Sequence, residues 1–305
     1  MRAIAVTRPG RTEPFDLVDV TVPDPGPEEI RIRVRASTIN RVDLMILNGF
    51  MHSAGFIAKN SVVGVGNDVA GVVDAIGAEV TRFSVGDRVA GEVPAWEPPG
   101  AYGAHADYVV MPASAIAEIP APLDFVHAAS IPLNGLTALQ ALDAIPNSVG
   151  PRLLITGAAG AVGGYAVALA ARAGLDVTAL ARAGDEDFVR NSGARELVTS
   201  LDDVDGFDAV LDTAGVGLPA VSALRAFGFY SGIGAVADTS VFGDDVTVSD
   251  IHTRPNGQQV GELLALAAAG HLETRIAGTV DLADPAIGFA HVRAGASRGR
   301  WVIVP

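Results

Sequence analysis

The chain of 305 residues contains no cysteine and only one lysine, Lys59. The lack of cysteine excludes disulfide bonds, catalytic thiolates, iron–sulfur clusters and cysteine-ligated zinc. Aromatic residues make up 6% of the chain and charged residues 18%, whereas apolar residues make up 49%. This composition is typical of a globular protein with a sizeable core, and the length is enough for one large domain or two ordinary ones.

Basic residues are scarce relative to acidic ones. The chain has 21 Lys and Arg and 35 Asp and Glu, which gives a formal net charge of −14. A field of this sign repels phosphate backbones and anionic lipid headgroups, so we expect neither nucleic acid nor a membrane as a partner, a local basic pocket aside. Apolar runs of 18 residues are absent, and Met1–Gly10 lacks the apolar core of a signal peptide. We therefore expect a soluble cytoplasmic protein.

The first 115 residues are typical of many short strands. The segment 31–37, RIRVRAS, alternates arginine with smaller or apolar residues at the period of a strand with one solvated face. The segments 69–80, 85–93 and 105–112 are β-branched runs that are interrupted or ended by glycine or proline. Such a pattern predicts a barrel or a distorted antiparallel sheet.

From residue 120 the pattern changes to strands that alternate with helices. A helical pattern covers 120–145, with Asp124 as a candidate cap. The alternation that follows is typical of a doubly wound parallel sheet, so the fold class is α/β. Predicted strands are 152–156, 176–181, 196–200, 207–215, 229–234 and 300–305, and predicted helices are 161–173, 186–193, 257–270 and one near 217–226.

A glycine-rich turn joins the first of these strands to its helix, within LLITGAAGAVGGYAVALAARAG (153–174). In a strand–turn–helix unit, glycines at this spacing permit a tight turn and let the backbone approach a pyrophosphate at the positive end of the helix. The alternative is an ordinary turn of small residues. The context favours a dinucleotide site formed by Gly157, Ala158, Gly160, Ala161, Val162 and Gly163.

The end of the next strand indicates which dinucleotide is bound. Sites that prefer NAD place an acidic residue there, whereas the segment 178–184 has none and contains Arg182. A guanidinium suits a 2′-phosphate, so we predict NADPH as the cofactor. The alternative is a solvated arginine, and the acidic residues 185–187, which we expect to cap the next helix, lie close to the predicted phosphate.

Motifs along the whole chain resemble the medium-chain dehydrogenase/reductase superfamily, in particular its zinc-free quinone oxidoreductase branch, the zeta-crystallin-like proteins. They occur in the family's order. The motifs are INRVD (39–43), VGNDVAGVVDAIG (65–77), FSVGDRVAG (83–91), GAHADYVV (103–110), AASIPLNGLTALQAL (128–142), ITGAAGAVG (155–163), FDAVLDTAG (207–215) and SRGRWVIV (297–304).

The resemblance implies two domains and a homodimer. A GroES-like β-rich catalytic domain would comprise residues 1–118 and 252–305, and a Rossmann domain that binds NADP would comprise 119–251. Dimers in this family often pair the edges of their nucleotide-binding sheets.

The resemblance also bears on metal. Zinc-dependent relatives hold the metal with a cysteine near position 40 and a His-Glu pair near 67, where this chain has Asn40 and Asn67-Asp68. The six histidines show no paired ligand spacing, so we predict no metal site. Without a zinc Lewis acid, the expected reaction is hydride transfer from NADPH to a quinone or an α,β-unsaturated carbonyl.

By the same resemblance, Asn40 would contact the nicotinamide ribose or the substrate oxygen, and Thr137 would lie beside the nicotinamide. Backbone atoms of Gly232, Ile233 and Gly234 would contact the nicotinamide end. The alternatives are a capped turn for Asn40 and a hydroxyl inside a helix for Thr137. His52 lies close to the place where many relatives carry a tyrosine, and an imidazole can donate a proton near neutral pH, unless it lies on a mobile loop.

Family features are missing at several positions. The tyrosine that many relatives carry after the INRVD motif is absent from 47–56. Asp185 and Ser200 stand where members that bind NADPH often have lysine and tyrosine, so Arg182 is the main phosphate candidate. The apolar segment 44–51 points to a small hydrophobic quinone or carbonyl substrate, or simply to core packing. Two other functions stay open, a tailoring enoyl reductase of secondary metabolism and a structural or regulatory protein that binds NADPH without turnover.

Overall fold

A computed structural model of the chain describes residues 1–12, 14–58, 61–93, 102–202, 204–233, 245–295 and 298–305. The chain forms two compact units. The first unit comprises Met1–Leu133, Pro255–Ala268 and Thr274–Pro305, and the second comprises Asn134–Arg254 and Ala269–Glu273. The domain boundaries at 118/119 and 251/252 stay a prediction.

The strands, in chain order, are β1 Arg2–Val6, β2 Phe15–Asp19, β3 Glu29–Thr38, β4 Val63–Gly64, β5 Asp68–Ile76, β6 Arg88–Glu92, β7 Tyr108–Pro112, β8 Ile116–Glu118, β9 Arg152–Thr156, β10 Asp176–Leu180, β11 Glu196–Val198, β12 Phe207–Asp212, β13 Leu224–Ile233, β14 Thr247–Ile251, β15 Ile276–Asp281 and β16 Arg300–Val304. The α-helices are α1 Arg41–Leu47, α2 Phe50–Ser53, α3 Phe125–Ala129, α4 Pro132–Asp143, α5 Ala161–Arg172, α6 Glu186–Asn191, α7 Leu218–Val221, α8 Gly257–Ala268 and α9 Ala286–Ala294. Short 3₁₀ turns cover Ala113–Ala115 and Ala183–Asp185.

The first unit is built on largely antiparallel sheets. A larger sheet has the order β15-β16-β3-β5-β6-β8, with β7 also paired to β3, and a smaller sheet has the order β2-β1-β4. Alternate residues of β3, among them Ile30, Ile32 and Val34, are buried in one apolar cluster. The period-two pattern of 31–37 therefore predicted this strand correctly.

The second unit contains a six-stranded parallel sheet in the order β11-β10-β9-β12-β13-β14. Counted within the unit, this is the order 3-2-1-4-5-6 of the Rossmann fold. Every residue of β12 is buried, as expected for a central strand that is covered on both faces. The predicted fold class, α/β with a GroES-like domain and a Rossmann sheet, is confirmed.

Local predictions in this region have different outcomes. The Asp124 carboxylate accepts from the backbone N–H of His127 at 2.8 Å, so the predicted cap of α3 is confirmed. The helix predicted near 217–226 is observed but is shorter than expected, because α7 covers only Leu218–Val221 and Leu224 already pairs with Phe207 in the parallel ladder. Strand pairing outweighs the local helical pattern of this segment. Asp185 occupies the cap position of α6, but its side chain makes no capping hydrogen bond.

Within the described ranges, no helix combines the length and the apolar character that crossing a bilayer requires.

Candidate functional site

The glycine turn predicted to bind a dinucleotide follows β9 and opens α5. Gly157 has a φ of +59°, in the left-handed region that favours glycine. A Cβ on Gly163 would lie 2.2 Å from the carbonyl oxygen of Gly157, so only glycine lets the helix lie this close to the turn. Gly160 occupies the cap position of α5 and is exposed together with Ala161. The turn therefore presents bare backbone to solvent at the positive end of a helix.

Other predicted cofactor residues lie at the same edge of the sheet. Thr156 is in register with Leu180 on one side and with Asp212 on the other, and Asp212 is in register with Gly232. The carboxyl ends of β9, β10, β12 and β13 thus form one row. Ile233 ends β13, and Arg182 lies two residues beyond the end of β10 and is exposed. Gly234 lies outside the described residues.

A buried carboxylate occupies the centre of this row. One oxygen of Asp212 accepts from the Thr156 hydroxyl at 2.5 Å and from the Ala214 N–H at 3.2 Å. The other oxygen accepts from the Tyr230 hydroxyl at 2.7 Å and from the Gly217 N–H at 2.8 Å. Sequence reasoning missed this group, although an aspartate at the end of the strand segment FDAVLD was a signal for it.

The hydrogen bonds to Asp212 keep its carboxyl group ionised. Burial acts to raise the pKa of Asp212, but the donors from Gly217, Thr156 and Tyr230 outweigh it and lower the pKa below its usual value. Burial and the bond to Asp212 raise the pKa of Tyr230. At neutral pH the network therefore consists of a carboxylate that accepts from a neutral phenol.

Thr137, the residue predicted to lie beside the nicotinamide, is buried on α4. Its hydroxyl lies 2.7 Å from the hydroxyl of Thr253. This bond joins α4 to the segment that follows β14, within the second unit.

Asn40 ends the stretch after β3 and caps α1. The Asp43 carboxylate accepts from the backbone N–H of Asn40 at 2.7 Å, and the Asn40 side chain pairs with the backbone N–H of Asp43, which completes a capping box. The Asn40 amide also donates to Asp68 at 2.7 Å and to the Thr38 carbonyl at 3.2 Å. The structure thus places Asn40 in a buried network of the first unit, where it serves as a cap.

Asp68 is fully buried at the start of β5, where it accepts from the Leu133 N–H at 2.6 Å and from Asn40. Burial raises the pKa of Asp68 to about 7, because desolvation outweighs these two hydrogen bonds. Nearby charges act in both directions, since Asp43 raises the pKa and Arg300 lowers it. Asp68 is therefore a carboxyl group that changes charge near neutral pH.

The positions at which zinc-dependent relatives hold their metal are engaged with one another. Asn67 donates to Asp43 at 3.0 Å, and Asp43 also accepts from the Gly66 N–H at 2.8 Å. His105 lies beside this group, with its Nδ1 2.8 Å from the Ser37 hydroxyl and its Nε2 3.7 Å from Asp43. No group of three or more His, Cys, Asp or Glu suited to a metal is found in the part of the chain that the structure describes.

His52 lies on α2 and is buried. Its Nε2 is 3.4 Å from the Ser61 carbonyl oxygen, and its Nδ1 has no hydrogen-bond partner among the described residues. The neighbouring Ile46, Leu47 and Met51 pack in an apolar cluster of the first unit, whereas Phe50 is exposed. Most of the apolar segment 44–51 therefore serves as core.

Comparison with known families places these features in context. Residues 26–121 match the alcohol dehydrogenase GroES-like domain family, and residues 183–303 match the zinc-binding dehydrogenase family. Together the two segments cover more than half of the chain. The structure of the quinone oxidoreductase from Coxiella burnetii superposes with a TM-score of 0.90 at 27% identity, over 100% of this chain and 99% of that one.

The chain belongs to the medium-chain dehydrogenase/reductase superfamily, in its quinone oxidoreductase branch. The predicted resemblance is confirmed. The similarity supports an oxidoreductase that uses a nicotinamide cofactor.

Two curated relatives show how far the similarity to this superfamily extends. The chloroplastic quinone-oxidoreductase homologue of Spinacia oleracea is 34% identical over 195 residues, which cover 62% of this chain and 57% of that protein. The mitochondrial NAD(P)H oxidoreductase RTN4IP1 of Mus musculus is 27% identical over 91% of this chain and 82% of its own length. The chain thus spans just over half of the spinach protein.

Proposed function

We propose that this member of the superfamily is an NADPH-dependent oxidoreductase that delivers a hydride to a quinone or an α,β-unsaturated carbonyl without zinc. The observation that carries the proposal is the row of strand ends in the second unit, where the Gly157 turn, Arg182 and Gly232 share one edge of a sheet with Rossmann strand order. Ligands of such sheets bind at the carboxyl ends of the strands, where the strand order reverses.

The residues of this edge fit a dinucleotide. The cofactor segment is Gly157, Ala158, Gly160, Ala161, Val162 and Gly163. It would hold the diphosphate on backbone N–H groups, since no side chain at Gly160 or Gly163 fills the space. Arg182 is exposed just beyond β10, where a cofactor with a 2′-phosphate would place that group. Bound NADPH would supply the hydride from its nicotinamide ring.

The remaining site residues have positioning roles in this proposal. Thr137, Gly232 and Ile233 would contact the nicotinamide end, with the Thr137 hydroxyl oriented by Thr253. Asn40 would act at the ribose or the substrate oxygen, with its amide oriented by Asp68. His52 would supply a proton, since its Nδ1 has no hydrogen-bond partner among the described residues.

Zinc independence is supported by the chemistry of the side chains at the family's metal positions. Asn40 and Asn67 offer amides, and both amides donate to carboxylates, so the carboxylate lone pairs are already engaged. Zinc in proteins prefers cysteine, histidine and carboxylate ligands in a tetrahedral set. The residues present do not fit such a site, although the second matching family is described as zinc-binding.

The proposed acceptor class is one that suits side chains that do not fit a zinc site. Quinones and α,β-unsaturated carbonyls share a conjugated C=C–C=O unit that accepts a hydride at carbon and spreads the charge onto oxygen. Such acceptors need less electrophilic assistance than a simple carbonyl, whose oxygen a metal ion would polarise. The names of the spinach and Coxiella relatives support a quinone.

The test is oxidation of NADPH and NADH, followed by absorbance at 340 nm, with a panel of quinones and enones. We expect turnover with NADPH, with enzyme that holds less than stoichiometric zinc by elemental analysis, and no loss of activity after chelation. Binding of NADPH without turnover of any acceptor would contradict the enzymatic proposal and favour a structural or regulatory protein. Essential stoichiometric zinc would contradict the mechanism.

We also propose that the protein is a homodimer. Among the described residues, β14 lies at one end of the six-stranded sheet, and such an edge can pair with a second copy. Light scattering coupled to gel filtration would measure twice the mass of the 31.1 kDa chain. A monomer at micromolar concentration would contradict this proposal.

A further inference from the structure

Asp212 joins the two loops that leave the centre of the parallel sheet. Its carboxylate accepts from Thr156, the last residue before the Gly157 turn, and from the N–H groups of Ala214 and Gly217 in the next loop. The segment 213–217 is the loop between β12 and α7. One buried carboxylate thus holds both loops at the edge where the strand order reverses.

The two loops also pack directly against each other. The hydroxyl of Thr213 donates to the carbonyl of Thr156 at 2.6 Å. A Cβ on Gly157 would lie 3.0 Å from the Thr213 hydroxyl and 3.1 Å from the Ala214 Cβ, so the 213–217 loop bounds the glycine turn. A shift of that loop would therefore move the turn or open a gap behind it.

Two backbone N–H groups of the 213–217 loop donate to the Asp212 carboxylate. Gly215 and Gly217 both have a φ of +71°, and neither would have a neighbour within 4 Å of an added Cβ. Glycine is needed here for the backbone conformation, and the N–H groups that this conformation gathers converge on Asp212. The carboxylate thus occupies a small anion-binding concavity of the protein's own backbone.

We infer that Asp212 is a positioning residue for the cofactor diphosphate, because it holds Thr156 and the 213–217 loop in the arrangement that gives the Gly157 turn its shape. The inference rests on the proposed function and extends it to a residue that contacts no substrate. By this inference, the buried side chain of Asp212 contributes to the affinity for the cofactor.

Asparagine in place of Asp212 tests the inference with minimal change of volume. An amide has one oxygen that accepts and a nitrogen that only donates, so either Thr156 with Ala214 or Tyr230 with Gly217 loses its acceptor. Thr156→Val is a second variant that removes the bond on the side of the turn and leaves the carboxylate in place. Tyr230→Phe is the matched control, because it removes a donor to the same carboxylate that comes from strand β13 and not from either loop.

The measurements are the Kd of NADPH by calorimetry, the KM for NADPH and kcat, and the melting temperature of each variant. We expect Asp212→Asn and Thr156→Val to raise the Kd and KM about tenfold, as befits loss of a charge-assisted hydrogen bond, with kcat at saturating NADPH within about twofold of wild type. Tyr230→Phe should lower the melting temperature and leave the Kd within about twofold.

An unchanged Kd in both loop-side variants, with only a lower melting temperature, would overturn the inference and leave Asp212 as a stabilising residue. An equal rise of the Kd in Tyr230→Phe would also overturn it, since the effect would then come from general loss of stability. Failure of the wild-type protein to bind NADPH or NADH would instead overturn the proposed function on which the inference rests.

Discussion

The side-chain amide of Asn40 donates to the carboxylate of Asp68 at 2.7 Å, although 28 positions separate the two residues. Asn40 caps α1 and Asp68 begins β5, so the bond joins a helix N-terminus to the larger sheet of the first unit. The acceptor in this pair has a pKa of about 7 because it is buried. The charge of Asp68 therefore links the stability of this unit to pH.

The first prediction concerns this pH dependence. The folded pKa of Asp68 is raised above the usual pKa of an aspartate, so near neutral pH the folded state holds a proton that the unfolded state has released. The contribution of Asp68 to the free energy of unfolding is fully present below pH 4 and is lost as the pH rises to about 7, by at most about 1.4 kcal/mol per pH unit. Urea titrations measure the free energy of unfolding of wild type and of Asp68→Asn. Between pH 5 and pH 8 the value for wild type should fall relative to the value for the variant.

The control for this experiment is Asp107→Asn. Burial acts to raise the pKa of Asp107, but its bonds to Arg2 outweigh burial and lower it, so Asp107 is charged in the folded and unfolded states throughout this pH range. The difference from wild type should then be independent of pH. A flat difference for Asp68→Asn as well would mean that Asp68 keeps an ordinary pKa.

The second prediction concerns the glycine turn. Gly163→Ala places a methyl group 2.2 Å from the Gly157 carbonyl oxygen, which a backbone shift must relieve. We expect a loss of about 1 to 3 kcal/mol in the free energy of unfolding and a weaker NADPH affinity. Denaturant titration and calorimetry measure the two effects.

Gly261→Ala is the matched control, because it lies inside helix α8 and its added methyl would make an ordinary contact at 3.4 Å with Ala117. It should stabilise the protein by up to about 1 kcal/mol through helix propensity. If Gly163→Ala retains both stability and affinity, the turn does not depend on the close approach of helix and strand.

The third prediction separates the two nicotinamide cofactors. Arg182→Ala should raise the Kd of NADPH by about 10- to 100-fold and leave the Kd of NADH unchanged, because only NADPH carries the 2′-phosphate. Arg195→Ala is a suitable control, since Arg195 is exposed in the same unit and pairs with Asp176 at the amino end of β10. Equal effects on both cofactors would show that Arg182 does not recognise the phosphate.

The fourth prediction concerns the proton donor. His52→Gln should lower kcat by about 100-fold, the usual contribution of a general acid, with the Kd of NADPH unchanged. The exposed His271→Gln should leave kcat unaffected. If kcat survives in His52→Gln, the buried imidazole is a packing residue and the proton comes from water.

Several features of the second unit could be predicted from local sequence. The strand predicted at 152–156 is observed with those bounds, and the glycines at 157, 160 and 163 lie at the predicted strand–turn–helix junction. These predictions succeeded because they depend on short-range requirements, an apolar strand and a backbone without side chains. In 217–226 the same reasoning predicted the helix but not where it ends, because the extended portion forms only when β12 lies beside it.

The polar networks could not be predicted in this way. Asp212 was visible as a carboxylate at a strand end, but its partners Thr156 and Tyr230 lie 56 and 18 positions away. Asp68 and Asn40 were noted as departures from a zinc site, and only the structure shows that they bond to each other. Hydrogen bonds between distant residues depend on strand order and register, which a one-dimensional pattern does not contain.

The amino-acid sequence by itself determined the class of fold, the superfamily and the bare glycine turn, because periodicity, motif order and the need for small residues are written along the chain. Only the tertiary structure decided which carboxylates are buried and which donors surround them, and hence that Asp212 stays charged while Asp68 titrates near neutral pH. The physical reason is that desolvation and hydrogen bonding act through space. They lower the pKa of the aspartate at the end of β12 and raise the pKa of the aspartate at the start of β5.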